Sequence, residues 1–115
     1  MVNIQKIVEA YVDAAIENGE AGNNNDHKRA NRCYKKMNDC YQKLKNEGAD
    51  NLVLNLAPLL RHTDDNVVLW SAMHLLPYKA AEAEEALNKI CQGQGLLAFD
   101  AEMTLKEWRA GRLKP

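Results

Sequence analysis

The side chains best suited to chemistry near neutral pH are His27, His62 and His74 and the thiols of Cys33, Cys40 and Cys91. His74 has the most suggestive setting, inside Leu69-Trp-Ser-Ala-Met-His-Leu-Leu-Pro77. There it could share a groove with Trp70 and pair with a carboxylate such as Glu102, making an acid/base couple. Its neighbours Ala72, Met73, Leu75 and Leu76 favour a plainer reading, a hydrogen-bonded histidine of the interior. His27 and His62 fall at a helix entry and a helix exit, where capping or solvation accounts for them. Histidines so scattered make no metal set. Cys33 and Cys40 share a helix face two turns apart, roughly 10 Å by helical rise and beyond disulfide reach. Both lie on an apolar stripe, as Cys91 does, so packing explains them better than thiol chemistry. Without a Cys-x-x-Cys spacing there is neither a zinc knuckle nor a disulfide framework, and the thiols read as reduced. Asp100 and Glu102 are two apart and point in different directions on a helix. Asp100 is expected to favour a helix N-terminus, and Glu102 to form an i, i+4 ion pair with Lys106. Gly93-Gln-Gly95 follows a helical pattern and not a strand, so it is no phosphate loop. These residues point to no catalytic set, no cofactor and no metal.

The elements that must position them are all helical. Ile4, Ile7, Val8, Tyr11, Val12 and Ala15 follow helical spacing, with Gly19 as the expected stop. After Asn23-Asn24-Asn25-Asp26, a second stripe runs through Ala30, Cys33, Tyr34, Met37, Cys40, Tyr41 and Leu44 and ends before Gly48. Asp50 is placed to cap a third helix bearing Leu52, Val53, Leu56, Leu59 and Leu60, in which Pro58 predicts a kink or a late start. Val67 to Leu76 is apolar almost all round, the pattern of a central buried helix. Pro77 should break it. Lys79 to Cys91 reads as a fifth helix with Ala80, Ala83, Leu87, Ile90 and Cys91 inward. The sixth runs from about Leu97 to Ala110 on Leu97, Ala101, Leu105 and Trp108, with a frayed tail from Arg112 to Pro115. Trp70 and Trp108 are expected as core anchors. The fold class is therefore all-α, about six helices in three pairs over residues 3–47, 50–76 and 79–110 of a single domain, 1–115.

The chain has 115 residues, 46% hydrophobic and 27% charged, with 15 Lys+Arg against 16 Asp+Glu and a net charge of −1. That is ordinary globular composition, enough for a modest core and far from disorder. No apolar run approaches the ~20 residues that span a bilayer, and Met1-Val-Asn-Ile-Gln-Lys lacks a signal-peptide layout, so a cytoplasmic protein is expected. The charge is unevenly spread. Lys28, Arg29, Arg32, Lys35, Lys36, Lys43 and Lys45 crowd the second helix against Asp26, Asp39 and Glu47, whereas the first helix sets Lys6 against Glu9, Asp13, Glu17 and Glu20. The two helices should partly compensate each other. A solvated face is the first reading of this basic helix, and binding to an acidic protein surface through Lys28, Arg29, Arg32, Lys35 and Lys36 is the next. Binding to nucleic acid is disfavoured because Tyr34 and Tyr41 both fall on the inward stripe and the whole chain is slightly acidic.

Leu56-Ala-Pro-Leu-Leu-Arg-His-Thr-Asp-Asp-Asn-Val-Val-Leu-Trp-Ser-Ala-Met-His-Leu-Leu76 resembles one HEAT-type repeat, a proline-bearing helix, an aspartate turn and a second helix. Leu69-Trp-Ser-Ala-Met-His-Leu-Leu-Pro77 and Gly95-Leu-Leu-Ala-Phe-Asp-Ala-Glu-Met-Thr-Leu-Lys-Glu-Trp-Arg109, with the Asn31-Arg32 pair of the second helix, look like a family of small bacterial proteins called domain of unknown function two thousand and nineteen. The resemblance covers most of the chain and is densest from residue 56 to residue 110. It implies an α-α superhelix of HEAT or armadillo type and supplies no activity, cofactor or catalytic residue. Two functions are then in play. The favoured one is a non-catalytic protein-interaction domain, in its most concrete form an immunity-type protein that neutralises a toxin. The other is a ligand-binding or enzymatic domain using the groove near Trp70, His74 and Glu102. A short stack exposes its end faces, so a homodimer through the first or last helix is also compatible with the pattern.

Overall fold

A computed structural model describes residues 2–113. These residues form six α-helices, one 3-10 turn and no strand: α1 (Ile4–Asn23), α2 (His27–Asn46), α3 (Ala49–Leu56), the 3-10 turn Ala57–Arg61, α4 (Asp65–Leu75), α5 (Ala80–Cys91) and α6 (Leu96–Arg109). The all-α expectation holds. The helices divide into two compact units, one up to Asn55 and one from Leu56.

In the first unit α1 packs on α2. Asn3 caps α1, its side-chain oxygen accepting from the Lys6 N–H at 3.2 Å. The helix does not stop at Gly19 but runs on to Asn23. What carries it past the glycine lies on its last turns: Ala21 is buried, Asn18 donates to the Ala30 carbonyl at 2.9 Å, and Glu17 and Glu20 hold Arg29. Burial and three cross-helix contacts outweigh the roughly 1 kcal/mol that glycine costs a helix. The chain turns at Asn25 instead, the non-glycine residue with a left-handed φ of 57°. Its N–H donates to the Gly22 carbonyl at 3.2 Å and that of Asp26 to Ala21 at 2.8 Å, the paired bonds that close a helix C-terminus. Asp26 then caps α2, accepting from the Arg29 N–H at 3.1 Å. Along α2, Cys33, Met37, Cys40, Tyr41 and Leu44 are buried with Tyr11, Ala14 and Ala15 of α1. Tyr34 departs from the expected stripe and is 45% exposed, because helical rotation puts it at the edge of the stripe centred on Met37 and Leu44. Gly48, at φ 105°, lets the chain leave α2, and its carbonyl accepts from the Leu52 N–H at 3.0 Å. Gly48 thus holds the position expected of Asp50, which sits inside the first turn of α3 where its charge still meets the positive helix end.

In the second unit Pro58 acts as expected. The α-helix ends at Leu56 and a 3-10 turn with proline near its start follows. His62 Nδ1 accepts from the Asp64 N–H at 3.0 Å, and Asp64 caps α4 by accepting from the Asn66 N–H at 2.8 Å. As expected, α4 is the central helix: it packs on the 3-10 turn, α5 and α6, and Val67, Val68, Leu69, Ser71, Ala72, His74 and Leu75 are all buried. Ser71 fits that interior because its hydroxyl donates back to the Val67 carbonyl at 2.8 Å. Ala83, Leu87 and Ile90 are the buried face of α5, and Ala101 and Leu105 that of α6. Ala80 is exposed, and Trp70 and Trp108 are half-buried, not the core anchors expected. The C-terminal segment is tied down through Leu113. Gly111, at φ 75°, turns the backbone so that the Arg112 and Leu113 N–H groups reach the Glu107 carbonyl at 2.9 and 3.2 Å. The Arg112 guanidinium adds an ion pair to the Glu107 carboxylate at 2.7 Å. The expected fraying of the tail therefore does not begin at Arg112, and Lys114 and Pro115 lie outside the described residues.

Candidate functional site

His74 lies near the end of α4, 3% exposed, with its ring centroid 6.4 Å from that of Trp70. Burial pushes its pKa down to about 4 from the ordinary 6.5, so the imidazole is neutral at physiological pH. A side chain this enclosed meets no solute without local opening. Glu102 stands elsewhere, exposed on α6, in an open groove of about 610 Å³ between α5 and α6 that Asn88, Cys91, Lys106 and Arg109 also line. Neither Trp70 nor His74 lines that groove. The expected groove of Trp70, His74 and Glu102 is thus corrected: Trp70 and His74 stand side by side, but His74 is buried and the groove that Glu102 lines includes neither of them. The reason is rotational, since His74 faces the interior from the central helix while Glu102 faces outward from a peripheral one.

The cysteines take the packing role. Cys33 and Cys40 are buried and Cys91 is half-buried beside the groove. Burial pushes all three thiols up, with the carboxylates of Glu17 and Glu102 adding to the effect at Cys33 and Cys91. Thiolate, the nucleophilic form, is therefore scarce at neutral pH. Asp100 does not sit at the start of α6 as expected. The helix begins at Leu96, which puts Asp100 in the second turn, and burial raises its pKa. Glu102 and Lys106 do not close into the expected ion pair. In that unit Arg109 pairs with Glu84 at 3.4 Å and Lys89 with Glu85 at 3.8 Å. No group of three or more His, Cys, Asp or Glu side chains among the described residues could hold a metal ion.

The predicted basic residues of α2 separate into two sets. Arg29 turns to α1, its Nε 2.9 Å from Glu17 and its Nη2 3.2 Å from Glu20. Those hydrogen bonds lower the pKa of Glu17 and raise that of Arg29. The expected compensation between the first two helices is built mainly on this residue, with the charge of Lys36 adding to it at Glu17. Lys28, Arg32, Lys35 and Lys36 stay exposed, opposite the buried face of Met37 and Leu44, with Asp39 among them. None of the four cations is held in an ion pair among the described residues.

A family profile described as Domain of unknown function (DUF2019) matches residues 5–108. The chain belongs to the DUF2019 family. Its fold is similar to that in the crystal structure of the protein RPA1889 from Rhodopseudomonas palustris, with a TM-score of 0.89 and 26% sequence identity over all of this chain and 95% of that one. No curated protein matches the sequence. This DUF2019 chain has one feature that helical spacing within the buried stripes does not announce. Leu96, Phe99 and Met103 stand exposed along α6 by 56%, 57% and 37%. Their own spacing of three and four residues was the available signal, masked because Leu97, Ala101 and Leu105 form a second stripe on the same helix. Among the described residues no helix is long and apolar enough to cross a membrane.

Proposed function

We propose that this DUF2019 protein is a non-catalytic interaction module that meets an acidic protein surface through the outer face of α2. One observation carries the reading: Lys28, Arg32, Lys35 and Lys36 share an exposed face and make no ion pair among the described residues, while Arg29 next to them is neutralised within the unit. Unpaired cations on a rigid helix steer association toward negative potential and retain their hydration until a partner arrives. The HEAT- or armadillo-type reading of the helix pairs belongs to the same proposal, supported by the order in which the 3-10 turn, α4 and α5 pack in succession. So does its most specific form, an immunity-type protein that neutralises a toxin, for which a small helical chain with segregated charge is suited.

The test is affinity capture from the native bacterium with the tagged chain as bait, run beside a bait carrying Lys28→Glu, Arg32→Glu, Lys35→Glu and Lys36→Glu. A stoichiometric acidic protein retained by the first and lost by the second, with both baits equally helical by circular dichroism, supports the proposal. A toxin encoded beside the gene among the captured proteins supports its specific form. Capture unaffected by the four reversals, or recovery of nucleic acid in place of protein, overturns it.

A further inference from the structure

We propose that the outer face of α6 pairs with the same face of a second copy of this chain, the two helices running antiparallel. Leu96, Phe99 and Met103 follow at intervals of three and four residues and so form one stripe on the side of α6 away from Ala101 and Leu105. A row of large apolar side chains left in water along one helix marks an association surface. What identifies the occupant is the charge at the edge of the stripe. Glu102 and Lys106 are one turn apart there, both exposed and on the same side, and they do not close on each other.

When one helix packs antiparallel on its own copy about a two-fold axis, each edge meets the same edge in reverse order. Glu102 then comes opposite Lys106 of the second copy, and Lys106 opposite Glu102 of the second copy. One open pair within a chain becomes two closed pairs between chains. The axis passes near Met103, which packs against its own copy, while Phe99 covers exposed Ala110 and the aliphatic stem of Lys106 from the other molecule. On the opposite edge Glu107 comes opposite the half-buried Asp100 of the second copy, and Arg112, 2.7 Å from Glu107, offsets the repulsion between those carboxylates. A parallel arrangement would set this edge against the other and leave Glu102 and Lys106 without each other. The face is small. Helix α6 is about 21 Å long at 1.5 Å per residue, too short for one face of it to bury the roughly 800 Å² per partner of a tight interface, so the dimer is weak and forms with concentration.

Sedimentation of the full chain from low micromolar to millimolar concentration tests this. The expected result is a monomer–dimer equilibrium that Phe99→Glu abolishes without loss of helical content. Glu102→Lys or Lys106→Glu alone sets like charges opposite one another twice over and weakens the dimer about tenfold. The two changes together restore it, because the edge is again complementary to itself. A chain that stays monomeric at millimolar concentration overturns the proposal, as does a dimer indifferent to Phe99→Glu. A double reversal that fails to recover what each single one lost also overturns it, since that rescue requires the two residues to meet across the axis.

Discussion

At the scale of single residues, His74 has the clearest consequence. Its folded-state pKa of about 4 lies below the ordinary 6.5, so between those values the unfolded chain takes up a proton that the folded chain refuses. Stability is therefore fully present above pH 6.5 and is lost as pH falls through 4, by about 3 kcal/mol at 1.36 kcal/mol per unit. Urea unfolding of the wild type and of His74→Gln across that range should show the difference: the variant, whatever its stability at neutral pH, lacks this part of the acid loss. An equal slope for both would mean that His74 titrates normally. The interior reading of this residue was legible in its flanking Ala72, Met73, Leu75 and Leu76. Its supposed partner was not, because spacing gives a residue's rotation about its own helix but not which side of a neighbouring helix that face meets. Tyr34 shows the same limit from the other side, since spacing placed it at the border of the α2 stripe and only packing decided which way it faced.

At the scale of elements, the helix count and the breaks at Pro58 and Pro77 could be read directly, because proline removes a backbone donor wherever it stands. Glycine is permissive and does not compel a stop, which is why Gly19 sits inside α1 and the left-handed turn falls on Asn25. Gly22, in the last turn of α1, has no heavy atom within 4 Å of where a Cβ would stand, apart from its own helix and neighbours. It contributes chain flexibility to the unfolded state and packs nothing in the folded one. Gly22→Ala should accordingly stabilise the protein by about 0.5–1 kcal/mol, read as a rise in the thermal midpoint. A fall would show that the turn at Asn25 needs Gly22 to bend. Caps were harder to place than helices. Gly48 displaced Asp50 by two residues because a left-handed exit from α2 and the entry to α3 were met in one position.

For the whole molecule, net charge conceals distribution. A chain with a formal charge of −1 should pass a cation exchanger at neutral pH and low salt, yet the exposed cations Lys28, Arg32, Lys35 and Lys36 on one face of α2 predict retention. Lys35→Glu with Lys36→Glu should abolish that retention by more than the change in total charge would, whereas the same number of lysines reversed on α5 and α6, Lys89→Glu and Lys106→Glu, should shift elution only modestly. Equal shifts would mean that the basic face is no patch. The compact unit built on α1 and α2 has one more consequence, and it concerns time. Asp26 closes one helix and opens the next, so the joint between them is only Asn24 to Asp26 and costs little loop-closure entropy. Contacts between neighbours in sequence form first in a folding chain. This hairpin is thus the natural nucleus for its unit, with the Asn25 turn already made at the transition state. Asn25→Ala, which strains a left-handed residue, should then slow refolding in proportion to the stability it removes and leave the unfolding arm of the chevron nearly unmoved.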